Sequence, residues 1–280
     1  MKLVRYGNPG QEQPGLLDAQ GRIRALSPAI ADITPDVVSD AGLAVLRALD
    51  PEKLPLVAGN PRLGPPLVGS RQFIAVGVNY AQHAEEASMA VPKEPIVFNK
   101  ALTAISGPND DIVIPPGSQS VDWEVELGFV IGRSAYRVPE SEALGYVAGY
   151  FTANDVSERD WQLARGGQFV KGKSSPTFGP VGPWLVTRDE VPDPQNLKLS
   201  LQVNGETRQN GYTGDMLFGV AWLIAHISGF FRLEPGDLVV TGTPAGVGYG
   251  MNPRVYLQPG DVVTLEVEGL GRQTQHVRQG

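Results

Sequence analysis

The 280-residue sequence predicts an α+β fold that is mostly β, with a small N-terminal domain (1–68) ahead of a larger one (69–280). Three observations predict it. The stretch Asp122 to Ile131 alternates strictly, with Trp123, Val125, Leu127, Phe129 and Ile131 on one parity and Asp122, Glu124 and Glu126 on the other. Period two is the pattern of a strand. The 34 glycines and 24 prolines are spread along the chain, as the turns between many short strands require. One segment alone, about 215–231, has the length and apolar stripe of a long helix.

In order, Leu3-Val4-Arg5-Tyr6 and 22–26 read as short strands, and 39–49 as a helix with Leu43, Val45, Leu46 and Leu49 on its apolar side. The Gly- and Pro-rich 59–66 is a linker. Phe73 to Val78 is a nearly continuous apolar strand of the buried kind. The polar segment 79–87 is helix-compatible and is cut off by Pro92. Strands follow at 95–100 and 111–115, a short helix at 139–144, and a buried strand at 146–153 that ends in Asn154-Asp155. Asp155 is placed either to turn back over the sheet or to cap a helix over 156–162. Strand 197–203 runs into an Asn204-Gly205 hairpin turn, and the long helix buries Met216, Val220, Leu223, Ile224 and Ile227. A strand from Leu238 opens a Gly-rich loop to Gly248, and 262–268 is the last strand expected.

Composition excludes several functions. The net charge of −7 argues against a nucleic-acid surface, and the absence of cysteine excludes disulfides, thiolate metal sites and cysteine nucleophiles. No signal-peptide run or membrane-length apolar stretch is present, so a cytoplasmic protein without nucleic-acid or membrane partners is expected.

On the alternating strand, Glu124 and Glu126 share a face about 6.5–7 Å apart. Like charges that close repel, and a cation between them would remove the penalty; a solvated acidic face is the other reading. Glu266 and Glu268 repeat the pattern as a control with no chemistry around it. His83 and Glu86, spaced i, i+3, are neighbours on a helical turn, an arrangement suited to a general base or to an incidental surface pair. His226 falls in the long helix as a packed or solvated residue. Residues 166–175 lack P-loop spacing, yet their basic side chains and glycines can hold a carboxylate or an oxyanion.

The motifs Asn79-Tyr80-x-x-His83-x-x-Glu86, Val121-Asp122-Trp123-Glu124-x-Glu126-Leu127, Asn154-Asp155-Val156-Ser157-x-Arg159-Asp160, Gly172-Lys173-Ser174 and Thr241-Gly242-Thr243-Pro244-x-Gly246-Val247-Gly248 occur in this order. Together, over about residues 70–275, they resemble the fumarylacetoacetate hydrolase family. The stretch 179–187 resembles its bacterial branch of 2,4-diketo-3-deoxy-L-rhamnonate and fuconate hydrolases. The resemblance implies a mixed β-roll with a small N-terminal domain, in a homodimer or higher homo-oligomer. It implies Glu124, Glu126 and Asp155 as ligands of Mg²⁺, with Mn²⁺ or Ca²⁺ as alternatives, since these donors are all hard oxygens. His83 and Glu86 match a water-activating dyad on a mobile lid. Lys173 matches a catalytic group at the developing charge, and Gln162, Thr243 and Lys100 match substrate contacts.

The activity so implied is metal-dependent hydrolysis of a C–C bond in a 2,4-diketo acid, giving pyruvate and a second acid such as lactate. Other keto-acid chemistry of the family, as an acylpyruvate hydrolase, oxaloacetate decarboxylase, isomerase or ureidoglycolate lyase, is the alternative within enzymes. A Ca²⁺-stabilised carbohydrate-binding β domain is the alternative outside them.

Overall fold

The computed structural model describes residues 1–280, and strands make up most of its regular structure, in mixed sheets. The alternating stretch forms the strand Val125–Ile131 at the centre of an eleven-stranded sheet. It pairs antiparallel with Val147–Asn154 on one side and Leu238–Val240 on the other. Beyond Leu238–Val240 lie Phe73–Gly77, parallel to it, and Ile96–Asn99. Beyond Val147–Asn154 come Gly179–Thr187, Lys2–Tyr6, Gln13–Leu17 and Ile23–Ala25. A second sheet of five strands runs Glu206–Tyr212, Lys198–Val203, Val262–Val267, Gly271–Gln279 and Ile112–Ile114.

Alternation decides which layer each face meets. Trp123, Val125, Leu127, Phe129 and Ile131 are fully buried against Leu199, Leu201, Val263 and Leu265 of the second sheet and Leu223 and Ile224 of the long helix. The opposite face carries Val130, in one core with Phe151, Leu3, Leu26, Leu43 and Leu46 from the N-terminal stretch. Between the two ends of that face the ring of Phe151 lies over Gly128, where a Cβ would stand 2.3 Å from it. Glu124 and Glu126 share this second parity, so their carboxylates enter a covered layer. They are 4% and 1% exposed, and the solvated acidic face does not occur. Glu266 and Glu268, by contrast, reach solvent.

The first 68 residues join the large sheet directly: Lys2 and Leu3 pair with Val186 and Leu185. The helix Asp40–Arg47 starts at Ser39, whose Oγ accepts from the Gly42 N–H at 3.1 Å, and it buries Leu43 and Leu46.

Several elements differ from those expected. The long helix spans Val220–Phe230, beginning later than 215, because Asn79 takes the backbone donors ahead of it. Leu217 N–H donates to the Asn79 carbonyl and Phe218 N–H to its side-chain oxygen, each at 2.8 Å. Residues 156–162 hold the two-residue strand Ser157–Glu158 before a helix Arg159–Leu163, which Glu158 and not Asp155 caps. A polar strand, Gly271–Gln279, follows the last one expected; its buried Gln273 amide donates to the Thr152 and Gly182 carbonyls at 2.7 and 2.9 Å. No helix is long and apolar enough to cross a membrane.

Candidate active site

Strand register assembles the acidic cluster. Val125 lies opposite Asn154, so the next pair outward is Glu124 with Asp155, joined by an Asp155 N–H to Glu124 carbonyl bond of 2.9 Å. Residues directly opposite on antiparallel strands point to the same side. Glu126, two residues along, completes the trio, and one oxygen from each of the three lies within 4.8 Å of the others. Oxygens sharing one cation at about 2.1–2.4 Å stand at most about 4.2–4.8 Å apart, so the trio fits a hard divalent ion. Glu126 adds a direct sign. Its Oε2 accepts from the Gly242 N–H at 2.7 Å, but its buried Oε1 has no partner.

Cations from three other segments close over the trio. Lys173, at the end of the helix Phe169–Lys173, donates to Glu124 Oε2 at 2.7 Å and Asp155 Oδ2 at 2.8 Å. Lys100, just past the strand Ile96–Asn99, pairs with Asp155 Oδ1. Arg159 Nη1 reaches Glu124 Oε1 at 2.7 Å, and its Nε donates to Asp122 Oδ2 at 2.8 Å. Burial alone would raise the Glu124 pKa, but Lys173 and Arg159 overcome it and hold the group well below the usual carboxylate range. Glu126 has no cation in contact; burial, with Asp155 and Glu124 beside it, pushes it well up. Burial lowers Lys173, yet Asp155 and Glu124 outweigh that and raise it, whereas burial prevails at Lys100 and lowers it.

The dyad sits on the helix Ala81–Glu86. His83 Nδ1 lies 2.8 Å from Glu86 Oε1, and Glu86 Oε2 accepts from the Gly246 N–H at 2.8 Å. The Gly-rich loop after Leu238–Val240 therefore holds the carboxylate that orients the imidazole. The same loop is anchored on its other side by Asp122, which accepts from the Gly248 and Tyr249 N–H groups at 2.8 and 2.9 Å. At Gly248 a Cβ would stand 1.8 Å from the Val255 carbonyl, so the close approach admits no side chain.

These parts meet at a cleft of about 500 Å³, measured out to open solvent. Of the expected residues, His83, Glu124, Gln162, Lys173 and Thr243 line it. Glu86, Lys100, Glu126 and Asp155 do not. Glu86 stands behind His83, and Asp155 and Lys100 behind Lys173. Thr243 lends its hydroxyl inward, donating to the Val125 carbonyl at 2.9 Å and accepting from the Gln209 amide at 2.7 Å. Gln162 Oε1 accepts from Arg159 at 3.0 Å, which leaves the Gln162 amide nitrogen available. His226 lies apart, stacked on Trp222 with ring centroids 4.5 Å apart. Arg159, Asp122 and Tyr249 carry no role in the sequence reading, yet they organise the inner end. The one available signal was that Arg159 and Asp122 stand inside the motifs that hold Asp155 and Glu124.

Residues 72–278 match the family model described as fumarylacetoacetate (FAA) hydrolase, C-terminal. The chain belongs to the fumarylacetoacetate hydrolase family. It is 60% identical to a Burkholderia multivorans protein named only as a hydrolase, with 99% of each chain covered. A fumarylacetoacetate hydrolase from Exiguobacterium antarcticum is 35% identical at a TM-score of 0.86, each chain fully covered. A maleylpyruvate hydrolase from Sphingobium, solved with manganese(II) and pyruvate, is 29% identical at a TM-score of 0.82, again over the whole of each chain. A 2-hydroxyhepta-2,4-diene-1,7-dioate isomerase from Mycobacterium marinum is 33% identical at a TM-score of 0.74, with 100% of this chain and 98% of that chain covered. The fold is that of the family, and these relatives support keto-acid hydrolase or isomerase chemistry.

Proposed function

We propose that this chain hydrolyses the C–C bond between C3 and C4 of a 2,4-diketo acid, releasing pyruvate and a second acid. The 2,4-diketo-3-deoxy sugar acids expected from the sequence are one group within that class. The observation that carries the reading is His83, oriented by Glu86 through Nδ1, lining the same cleft as Glu124 and Lys173 of the carboxylate–lysine cluster.

Glu124, Glu126 and Asp155 would hold a divalent cation, Mg²⁺ or Mn²⁺ by the hardness of the donors, and it would polarise the substrate's 1-carboxylate and 2-oxo group. The chain's own residues do the rest. With Nδ1 committed to Glu86, Nε2 of His83 is the nitrogen left to take a proton from water. The hydroxide so formed adds to C4. The C3–C4 bond breaks, its electron pair passes into the pyruvate enolate, and the proton taken from water is returned to C3. Lys173 and the free amide of Gln162, both buried and lining the cleft, would meet that negative charge, and buried donors stabilise it more than water would. Glu86, held by Gly246, keeps the imidazole in one tautomer and compensates its charge once protonated.

A decarboxylase or an isomerase would use the same enolate, but neither requires a base for water, and His83 with Glu86 favours hydrolysis. The test is pyruvate release from acylpyruvates, with Mg²⁺ or Mn²⁺ and after exhaustive chelation. Release that depends on the metal is expected, and its absence from every acylpyruvate would refute the reading.

A further inference from the structure

The cleft has two chemically distinct ends. Five of its polar groups form one patch: Arg159 bonds Glu124 and Gln162, Lys173 bonds Glu124, and the Arg159 guanidinium stands 5.9 Å from the Tyr249 ring centre. The large apolar side chains of the wall are Val76, Val78, Met89, Phe98, Leu163 and Phe169. Phe98 and Phe169 meet edge to face, centroids 5.4 Å apart, and the Lys173 ammonium lies 5.8 Å from the Phe98 ring centre, which marks the border between the ends. Phe169 is fixed by close packing on Gly77, where a Cβ would stand 3.3 Å from its ring. The apolar surface continues out to the mouth. Met89 and Leu163, which line the cleft, are each 37% exposed. Apolar side chains left in water around a cleft mark a surface that an apolar ligand covers.

Charge supports the same assignment. The only cations lining the cleft are Lys173 and Arg159, and both are engaged by Glu124, Asp155 and Asp122. Of their nitrogens, Arg159 Nη2 is buried without a partner. It belongs to the inner end, where the carboxylate common to all 2,4-diketo acids would lie. No lysine or arginine besides these lines the cleft to receive a second carboxylate, and the Thr243 hydroxyl is already engaged by the Val125 carbonyl and the Gln209 amide.

Building on the hydrolase reading above, we infer that the acyl group beyond the scissile bond is an uncharged, unhydroxylated alkyl or aryl group. The preferred substrate is then an alkyl- or arylacylpyruvate, in place of a dicarboxylic or sugar-derived diketo acid. Phe98, Phe169, Met89 and Leu163 set this preference.

The experiment compares kcat/KM for acetyl-, propionyl-, butyryl-, benzoyl-, lactoyl- and succinylpyruvate on the Mn²⁺-loaded protein. Each added methylene should raise kcat/KM about fourfold, the gain from burying one such group. Lactoyl- and succinylpyruvate should fall at least about tenfold below butyrylpyruvate, the scale on which a pocket rejects a group it cannot pair. Either of them outrunning butyrylpyruvate would overturn the inference. Leu163→Arg, at a position already open to solvent, should shift the succinyl-to-butyryl ratio at least tenfold toward succinyl; an unchanged ratio would overturn the assigned wall. If no acylpyruvate is cleaved, the hydrolase reading fails and calorimetry decides the pocket separately. Tighter binding of 2-oxohexanoate than of 2-oxoglutarate then upholds the apolar end, and the reverse order overturns it.

Discussion

Replacing His83 with alanine separates the base from the rest of the site. Its one polar contact is with Glu86, and no bond to Glu124, Glu126 or Asp155 comes from it. Glu86 keeps its Gly246 N–H, so the helix Ala81–Glu86 stays anchored to the Gly-rich loop. The loss should therefore fall on turnover. Positioned proton transfer contributes about 10²–10⁴-fold, which at about 1.36 kcal/mol per tenfold is roughly 2.7–5.5 kcal/mol on the barrier. Affinity for oxalate, which mimics the chelating end of the substrate, should change less than about twofold. The assay measures pyruvate release and oxaloacetate decarboxylation on the same variant. Decarboxylation needs no water attack, so it should survive better by at least a factor of about ten. Equal collapse of both would refute the assignment of His83 to water.

Glu126→Gln is the cleanest test of the cation site. Because Glu126 pairs with no cation and its Oε1 is unpartnered, the amide should keep the Gly242 bond and the thermal stability of the metal-free protein while Mn²⁺ affinity falls at least tenfold by calorimetry. Glu124→Gln should in contrast destabilise the metal-free fold, since it strips a counter-charge from buried Lys173 and Arg159, a loss of about 3–5 kcal/mol on chemical denaturation. Asp18 contributes to acid stability. Burial would raise it, but the Arg22 N–H and the Arg24 and Arg22 guanidiniums hold it down to about 2, so its contribution is complete above about pH 4 and is lost as pH falls toward 2. The wild-type melting temperature should drop across that window, and Asp18→Asn should flatten the drop. The segment 80–92, with its exposed Met89 and Val91, should exchange amide hydrogen more slowly when oxalate and Mn²⁺ bind; unchanged exchange would argue against closure.

The central strand was legible because one side of it is continuous with a core. The period of Trp123 to Ile131 names its apolar face, and Glu124 and Glu126 follow on the other. What covers that second face was not legible. The same alternation at Glu266 and Glu268 leads to solvent, and only the pairing of distant strands, Val125 with Asn154, brings Asp155, Lys100 and Lys173 over the first pair. Pairing order is a long-range property with no local period to reveal it. For the same reason the N-terminal strands give no local sign that Leu3 would pair with Leu185. The strand Gly271–Gln279 escaped because its buried positions include Gln273 and Gln275, polar residues stabilised by carbonyls of Thr152, Gly182 and Pro108. Arg159 and Asp122 have ordinary charged identities, and their role arises from a shared contact, not from spacing.

The destination of the water oxygen tests the central claim most directly. In H₂¹⁸O, the Mn²⁺-loaded protein cleaving butyrylpyruvate should place one solvent oxygen in the carboxylate of the butyrate released, read by mass spectrometry in a single turnover. Butyrate or another product formed without that oxygen would contradict hydrolysis at this site.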